Sequence, residues 1–465
     1  MDVLVIIASL AFLVIMAYRG FSVILFAPLA ALGAVLFIDP AAVGPVYGAI
    51  FMDKLVVFVR NFLPIFLLGA IFGKVIELSG NAKAISSAVI QILGSKRAQL
   101  VIVITCALLT YGGVSLNVVV FAVYPFAAEM FRQSNIPKRL IPGTIALGAF
   151  TFTMDSFPGS PQVQNIIPTT FFGTNTWAAP WLGTIGGLMI FVAGMWYLDS
   201  RRKKAVALGE GYGMNHINEP EAPDANEKLP HPLVALLPLV LVFGLNYVFG
   251  KLIPQLYGDA SYTITLAGLA KPITVPIAAN ATIWAVELAL IVGILTVVAT
   301  GYKTVLPKFA EGSRHAIGGS LLAVMNSASE FGYGAVMAAL PGFIIVAETL
   351  RSIPNPLVNE AVSITVLAGL TGSAIGGLSI ALGAMADNFI AAAHAANIPL
   401  EVFHRIASMA SGGMDTLPHN GAVITLLTVT GLTHRQSYRD IFAITLIKTF
   451  MAGATIALFY MTGIV

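Results

Sequence analysis

Apolar runs of about 20 residues recur along almost the whole chain, and an α-helix needs about that length to cross the hydrocarbon core of a bilayer. Of the 465 residues, 57% are hydrophobic and 10% are charged. Soluble domains carry about 25% charged residues, so most of this surface is expected to contact lipid rather than water. The sequence therefore predicts an all-α protein that crosses the membrane many times. The net charge of +3 does not indicate a nucleic-acid partner, and we expect none.

One hydrophilic interval, residues 201–231, divides the chain into two apolar halves, 1–200 and 232–465. It opens with four basic residues, Arg201–Lys204, and then becomes acidic and contains proline, which is typical of a flexible linker. Each half is predicted to form one unit. The predicted spans are 2–18, 22–38, 52–78, 138–172 and 181–199 in the first half, and 232–250, 282–300, 317–350, 404–432 and 440–463 in the second.

Two further apolar stretches, 98–131 and 359–396, differ from these spans. Each holds two runs that are too short to cross a bilayer, separated by small residues at Tyr111–Ser115 and Thr371–Gly377. We expect each stretch to form a re-entrant hairpin that turns at its glycines. Two of the spans are also interrupted: the span at 138–172 contains Pro158, Gly159 and Pro161, and the span at 404–432 contains Pro418.

Three short motifs occur once in each half and in the same order. Gly112–Ser115 corresponds to Gly376–Ser379, Asn135–Pro137 to Asn397–Pro399, and Met154–Pro158 to Met414–Pro418. The offsets are 264, 262 and 260 residues. This pattern predicts a duplicated membrane unit. Because each unit has an odd number of spans, the second copy is expected to be inverted.

The distribution of positive charge predicts the same topology. With Arg201–Lys204 placed in the cytoplasm, 18 of the 25 basic residues fall on the cytoplasmic side and six on the other side. Both termini are then periplasmic, the first hairpin opens to the cytoplasm and the second opens to the periplasm.

Helices that break at membrane depth must line a polar cavity enclosed by protein, because lipid offers no hydrogen-bond partners. We expect the two hairpin tips and the two broken spans to meet at the centre, where half-helix N-termini favour an anion. Hydroxyl and amide side chains at these breaks suit a small hydroxylated carboxylate, although Ser and Thr also serve helix packing. The candidate substrate-binding residues are Ser115, Asn117, Ser156, Gly159, Ser160, Ser373, Gly377, Ser379, Thr416, His419 and Asn420.

Asp155 and Asp415 occupy equivalent positions in the two halves. An ionisable group inside a membrane is costly, which favours a functional role such as proton binding; a role as helix caps is the alternative. Asp387, in the second hairpin, is a third proton-site candidate without a counterpart in the first half. Glu330 and Arg405 are expected near the membrane interfaces, in solvated or structural roles.

Enzyme chemistry is not indicated. The sequence contains no H-E-x-x-H and no G-x-S-x-G motif, and its single cysteine, Cys106, lies in an apolar run. No metal or cofactor is predicted.

Three segments resemble the gluconate:proton symporter (GntP) family: Asp415–Ala422, the Pro158–Pro161 break and Ala339–Phe343. The resemblance extends over nearly the whole chain and implies a member of the ion-transporter superfamily in the bacterial inner membrane. It also implies a homodimer, in which a hairpin-containing transport domain moves as an elevator along a scaffold domain. The implied activity is proton-coupled uptake of gluconate or a related hydroxy acid such as 3-hydroxybutyrate.

Two features qualify the substrate and the coupling ion. Sugar-acid members carry a His- and Pro-rich first break, whereas this chain has Met154–Pro158 among several phenylalanines, which favours a less polar cavity and a short hydroxy-monocarboxylate. The alternative is sodium coupling, because Ser115–Asn117 is similar to the hairpin tips of sodium-dicarboxylate carriers.

Overall fold

The computed structural model describes residues 2–19, 21–94, 97–114, 116–214, 216–220, 228–258, 261–266, 268, 271–343, 345, 353–418 and 420–465. These residues are helical almost throughout, with one small two-stranded sheet. The all-α architecture predicted from the sequence is therefore confirmed.

The helices that precede the linker include one long composite helix and several shorter ones. Residues 40–78 form the composite helix, which contains a 3₁₀ turn (Pro40–Ala42), α3 (Val43–Val46), a π turn (Tyr47–Met52) and α4 (Asp53–Leu78). The others are α1 (Asp2–Tyr18), α2 (Val23–Ile38), α5 (Asn81–Leu93), α6 (Ala98–Tyr111), α7 (Leu116–Gln133), α8 (Ile141–Ala149), α9 (Phe152–Asp155), α10 (Val163–Phe172) and α11 (Pro180–Ala207).

The helices after the linker are α12 (Pro232–Tyr257), α13 (Ile277–Thr300), α14 (Tyr302–Ala339), α15 (Pro356–Thr371), α16 (Ala374–Ala395), α17 (Leu400–Ser411), α18 (Gly421–Thr430) and α19 (His434–Thr462). Between α12 and α13, β1 (Ser261–Ile264) pairs antiparallel with β2 (Ile273–Pro276), with Ser261 opposite Pro276.

The helices pack in two groups. The long-helix layer consists of α1, α2, the 40–78 helix, α12, α13 and α14. Its centre is an antiparallel pair: Gly312 of α14 packs against Lys74 and Leu78, whereas Gly332 packs against Phe51 near the opposite end of the 40–78 helix. Close approach of this kind needs small residues at the contact.

The hairpin layer contains the helix pairs α6–α7 and α15–α16, the interrupted helices α8–α10 and α17–α18, and the long helices α11 and α19. The two long helices run antiparallel, because Gly186 of α11 lies against Thr455 whereas Tyr197 donates a hydrogen bond to Asp440, 15 residues earlier in α19. Asp440 is 1% exposed and also accepts hydrogen bonds from Arg139 and Arg201.

Several elements differ from the sequence expectations. The helix expected at 52–78 begins at Pro40, and the one expected at 317–350 begins at Tyr302 and runs to Ala339. The extension at 302–316 is polar, so hydropathy does not detect it. The extension at 40–51 is apolar, but its prolines and glycines are residues that normally end a helix. Helix α5 and the β1–β2 hairpin were missed for a related reason. Each is too short or too polar to score as a span.

Six helices of the described residues are long and apolar enough to cross a membrane: Pro40–Leu78, Pro180–Ala207, Pro232–Tyr257, Asn280–Thr300, Ala374–Ala395 and His434–Thr462. Other predicted spans are shorter apolar helices, such as Val23–Ile38, or are divided by a break into two short helices, as at 404–432.

The linker is more ordered than its composition suggests. Helix α11 extends to Ala207, and the chain that follows is tied to the hairpin layer. Arg139 donates two hydrogen bonds to Glu210, at 2.6 and 2.7 Å, which lower the pKa of that carboxyl group. Lys138 donates to Glu219 at 3.2 Å. These ion pairs attach Glu210 and Glu219 of the linker to the segment that precedes α8.

We expect Gly332→Ala to destabilise the antiparallel pair of long helices. The added methyl carbon would lie 2.9 Å from the carbonyl oxygen of Phe51, a backbone atom that cannot move without its helix. Overpacking of this kind costs about 1–3 kcal/mol, measurable as a lower temperature of thermal unfolding in detergent.

The matched control is Gly319→Ala on the same helix, where an added methyl group meets no atom within 4 Å. Alanine favours a helix over glycine by about 1 kcal/mol, so this variant should be as stable as the wild type or more so. Equal losses of stability in both variants would contradict the packing.

Candidate functional site

The first interrupted helix is held open by hydrogen bonds from side chains. Ser160 donates to the carbonyl oxygen of Thr153 at 2.9 Å, and Asn165 donates to the carbonyl oxygens of Ser160 and Thr176, both at 2.9 Å. Gly159 has φ = +76° and lies so close to the Trp177 ring that a Cβ atom would be 2.5 Å away. The break after α9 therefore has a defined backbone, in which glycine is required at position 159.

The second interrupted helix is joined to the tip of its own hairpin. Asn420 caps α18 by accepting hydrogen bonds from the N–H groups of Ala422 and Val423, at 2.7 and 3.0 Å. Its amide donates to the carbonyl oxygen of Gly372, at the turn between α15 and α16, at 2.6 Å. Thr416, also in this break, contacts the hydroxyl of Thr445 on α19.

The two interrupted helices meet around Lys448, which projects from α19. Its ammonium group donates to Asp415 Oδ1 at 2.6 Å and to the carbonyl oxygen of Phe150 at 2.9 Å. Ser408, at the end of α17, donates to the carbonyl oxygen of Asp155 at 2.7 Å. Gly412 lies beside Asp155 and Lys448 and leaves room for both side chains. A Cβ atom at this position would lie 2.0 Å from Asp155 Oδ2 and 3.2 Å from Lys448 Nζ.

We call Asp155, Ser156, Ser408, Asp415 and Lys448 the central cluster. Asp155 Oδ1 accepts a hydrogen bond from Ser156 at 2.7 Å, whereas Asp155 Oδ2 is buried and has no hydrogen-bond donor among the described residues. None of the five side chains belongs to a residue more than 4% exposed. Buried charges are stable only when they are paired and hydrogen-bonded, so the unsatisfied oxygen of Asp155 is the weak point of the cluster.

Two buried basic residues lie outside the set of candidate site residues. Arg405, expected in a solvated or structural role, is fully buried and donates to the carbonyl oxygens of Ala178 (2.7 Å) and Thr176 (3.3 Å) and to the side chain of Asn165 (2.9 Å), which is a structural role. Lys448 lies within the predicted span 440–463 and was likewise not chosen as a candidate. Being charged residues inside predicted spans, both could have been singled out from the sequence.

Arg405 has no carboxylate partner among its described hydrogen bonds, since all of its acceptors are neutral oxygens. The adjacent His404 contacts the hydroxyl of Thr174 at 2.6 Å and the Asn165 side chain at 3.2 Å. Neutral acceptors do not cancel the positive charge of the guanidinium group, so this charge interacts electrostatically with the carboxyl group of Asp155.

Each hairpin tip contacts an interrupted helix through the residues that the structure describes. Tyr111 donates to the carbonyl oxygen of Pro158 at 2.6 Å, and Gln162 donates to that of Thr110 at 2.7 Å, so the first tip adjoins the first break. Together with the bond between Asn420 and Gly372, these contacts form a series from the first tip through both breaks to the second tip.

The remaining candidates are placed as follows. Ser373 caps α16 by accepting from the N–H of Gly376 at 3.0 Å, and Ser379 donates to Ile375 of its own helix at 2.7 Å. Gly377 permits close packing of the two hairpin arms, against Ala368. Asp387 is exposed on α16, apart from the central cluster. Ser115, His419 and the side chain of Asn117 lie outside the described residues.

The central cluster is closed off from solvent in the conformation described. Among the residues that the structure describes, no group of three or more His, Cys, Asp or Glu side chains is arranged to hold a metal ion. Asp155, Ser156, Ser160 and Thr416 are each at most 2% exposed. The conformation described is therefore closed around these groups.

Comparison with known proteins places this geometry in a family. The model of the GntP family permeases matches residues 60–248. The chain is also 53% identical, over 473 aligned residues that cover 100% of both proteins, to the Bacillus subtilis (strain 168) protein described as "Uncharacterized transporter YxjC". This chain belongs to the GntP permease family. The family resemblance found in the sequence is confirmed, and the GntP permease is a multi-pass membrane transporter.

A solved structure supports the fold. The crystal structure of the Alcanivorax borkumensis YdaH transporter, described as having an unusual topology, superposes on this GntP permease with a TM-score of 0.50. The two chains share 13% sequence identity, over 89% of this chain and 88% of the other. At that identity the similarity concerns the fold alone.

We expect Lys448→Met to destabilise the protein strongly. The substitution leaves the carboxyl groups of Asp155 and Asp415 buried without their shared cation, and breaking a buried ion pair from one side costs about 3–5 kcal/mol. The double variant Asp415→Asn/Lys448→Met removes both charges of the pair and should recover part of the loss. Thermal unfolding of the purified proteins measures both effects.

A Lys448→Met variant as stable as the wild type would contradict the ion pair. Additive losses of stability would also contradict it: the effects of substituting two partners of one ion pair are not additive, so the double variant should not lose the sum of the two single costs.

Proposed function

We propose that this GntP permease is a proton-coupled symporter that carries a small hydroxy-carboxylate, of the gluconate or 3-hydroxybutyrate type, across the bacterial inner membrane. The observation that supports the proposal most directly is the unsatisfied Oδ2 atom of Asp155, which faces Lys448 across Gly412 at the meeting of two interrupted helices. A proton on this oxygen removes the cost of an unpaired buried charge.

The charge balance of the site fits a monovalent anion. The carboxylates of Asp155 and Asp415 and the cations of Lys448 and Arg405 cancel when all four groups are ionised. A proton on Asp155 leaves one net positive charge, which an anion neutralises on binding. Binding of the proton and of the anion therefore favour each other, and thermodynamic linkage makes this coupling reciprocal.

The surroundings of the cluster favour a short, partly apolar substrate. Phe152 and Phe157 pack edge to face with ring centroids 5.3 Å apart, and Tyr111 packs against Phe157 at 5.9 Å. Ser156, Ser160 and Ser408 supply hydroxyl groups on the polar side. A hydroxy-monocarboxylate with a short carbon chain suits this mixture better than a sugar acid, whose many hydroxyls each need a partner.

The proposal includes movement of the hairpin layer along the long-helix layer, as an elevator within a homodimer. The antiparallel arrangement of α11 with α19, and of the 40–78 helix with α14, is what two inverted repeats would produce. The end at which Arg139, Arg201 and Glu210 cluster is proposed to be cytoplasmic, since loops rich in Lys and Arg stay inside; both termini would then be periplasmic.

We expect Asp155→Asn to uncouple transport from the proton gradient. The asparagine keeps the positive balance of the cluster permanently, so substrate binding should no longer strengthen as the pH falls. Proton-driven uptake into proteoliposomes should fall by at least about tenfold, equivalent to 1.4 kcal/mol, whereas exchange of labelled for unlabelled substrate should continue. Gluconate, 3-hydroxybutyrate, lactate and citrate are first compared by thermal shift to choose the substrate.

The matched control is Asp387→Asn, which removes an exposed carboxyl group from another apolar helix and should retain proton-driven uptake. If Asp387→Asn lost coupling and Asp155→Asn retained it, the proton site would be assigned to α16 instead. Accumulation by the wild type under a sodium gradient alone would favour the sodium-coupled alternative instead.

A further inference from the structure

A second buried carboxyl group lies at the boundary between the two layers. Glu330 of α14 is 4% exposed, and its Oε2 atom has no hydrogen-bond partner among the described residues. The carboxyl group points at the first turn of α16 in the second hairpin, where a Cβ atom on Gly376 would lie 2.1 Å from Oε2. Glycine at position 376 is therefore what leaves room for the carboxyl group.

The helices on either side of Glu330 are in close contact. Gly334, one turn further along α14, lies against the backbone of Ile380. A Cβ atom on Gly334 would be 3.0 Å from the Cα atom of Ile380. Gly383 of α16 lies against the ring of Phe331. Water is excluded from a contact of this kind, so a charge within it can be stabilised only by neighbouring protein groups.

The groups that face Glu330 offer almost no such stabilisation. From the long-helix layer, Phe51 packs against Gly332 and Phe58 packs against Phe331, both uncharged. Tyr333 is the nearest titratable neighbour on α14, and its hydroxyl contacts Ser9 of α1. No charged side chain of the described residues interacts electrostatically with the Glu330 carboxyl group.

One group in the hairpin does attract a negative charge, namely the N-terminal turn of α16. Ser373 already accepts a hydrogen bond from the N–H of Gly376 at 3.0 Å, so this amide is unavailable to Glu330. The remaining attraction is the partial positive charge of the helix end, worth at most about 2 kcal/mol. That is less than the cost of burying an isolated carboxylate, which favours the neutral form in the closed contact.

We propose that Glu330 is a proton-binding site, separate from Asp155, and that its proton holds the second hairpin against α14. When the hairpin moves away, the carboxyl group meets water and ionises; when the hairpin returns, the group takes up a proton. The inference rests on the proposed function, because it assumes that the two layers move relative to each other. In this proposal, Glu330 controls the contact between the second hairpin and α14, whereas Asp155 couples proton binding to substrate binding.

The test measures the contact directly, without a substrate. Spin labels are placed on cysteines at Leu322 of α14 and Val366 of α15, both exposed, in a Cys106→Ala background, and the distance between them is measured in lipid by pulsed electron paramagnetic resonance. We expect one short distance at acidic pH and a second, longer distance at alkaline pH. If Glu330 ionises only in the open form, the ratio of the population with the longer distance to that with the shorter distance should change by up to about tenfold per pH unit.

Glu330→Gln should show the acidic distance distribution at every pH, because the amide is neutral and similar in size. The matched control is Glu311→Gln, which removes an exposed carboxyl group from the same helix and should retain the pH response of the wild type. A pH-independent distribution in the wild type, or an unchanged pH response in Glu330→Gln, would overturn the proposal.

A second measurement needs no variant at position 330. A hydrophobic carbodiimide reacts with protonated carboxyl groups inside a bilayer, and mass spectrometry identifies the modified residue. Glu330 should be modified in the wild type, faster as the pH falls; absence of modification across the pH range would also overturn the proposal. Proton-driven uptake is measured in a separate assay. Failure of the symport proposal can therefore be told apart from failure of the proposal for Glu330.

Discussion

The ammonium group of Lys448 ties together parts of the chain that are far apart in sequence. It bonds to Asp415 in the second interrupted helix and to the carbonyl oxygen of Phe150 in the first, about 300 residues earlier in the chain. Both helices leave backbone groups unsatisfied where they break, and lipid cannot supply partners for them. The lysine therefore completes a polar centre that the two breaks require and that neither half can complete alone.

Charged groups at the end of the hairpin layer contrast with those near its centre. Asp440 has hydrogen bonds from Tyr197, Arg139 and Arg201, which makes it a fixed structural contact. Within the part of the chain that the structure describes, Asp155 and Glu330 each retain an unsatisfied oxygen, and Glu360 of α15, which is fully buried, has two. Satisfied networks rigidify a protein, whereas partly satisfied ones store free energy that a proton can release. The contrast separates the parts that anchor the layer from the parts suited to coupling.

The sequence analysis succeeded where a local pattern carries the information. The interrupted stretches at 98–131 and 359–396 contain the helix pairs α6–α7 and α15–α16, and the proline-containing motifs correspond to breaks. The expectation that both runs of each stretch are too short to cross a bilayer was wrong for α16, which has 22 residues. Helix lengths were predicted less well, because the 40–78 helix continues through apolar residues that include proline and glycine, and α14 extends into a polar stretch before residue 317. Of the candidate site residues, Asp155, Ser156 and Asp415 meet at the centre, whereas Asp387 is exposed elsewhere.

The sequence by itself determined that the chain is helical, that it belongs in a membrane, and which family it resembles. Each of these follows from composition, run length or short motifs, which are properties of neighbouring residues. Only the tertiary structure decided that Lys448 pairs with Asp415, that Arg405 is buried among carbonyl oxygens, and that Glu330 faces Gly376. The physical reason is that the free energy of a buried charge depends on what surrounds it in space, and those surroundings come from helices distant in sequence.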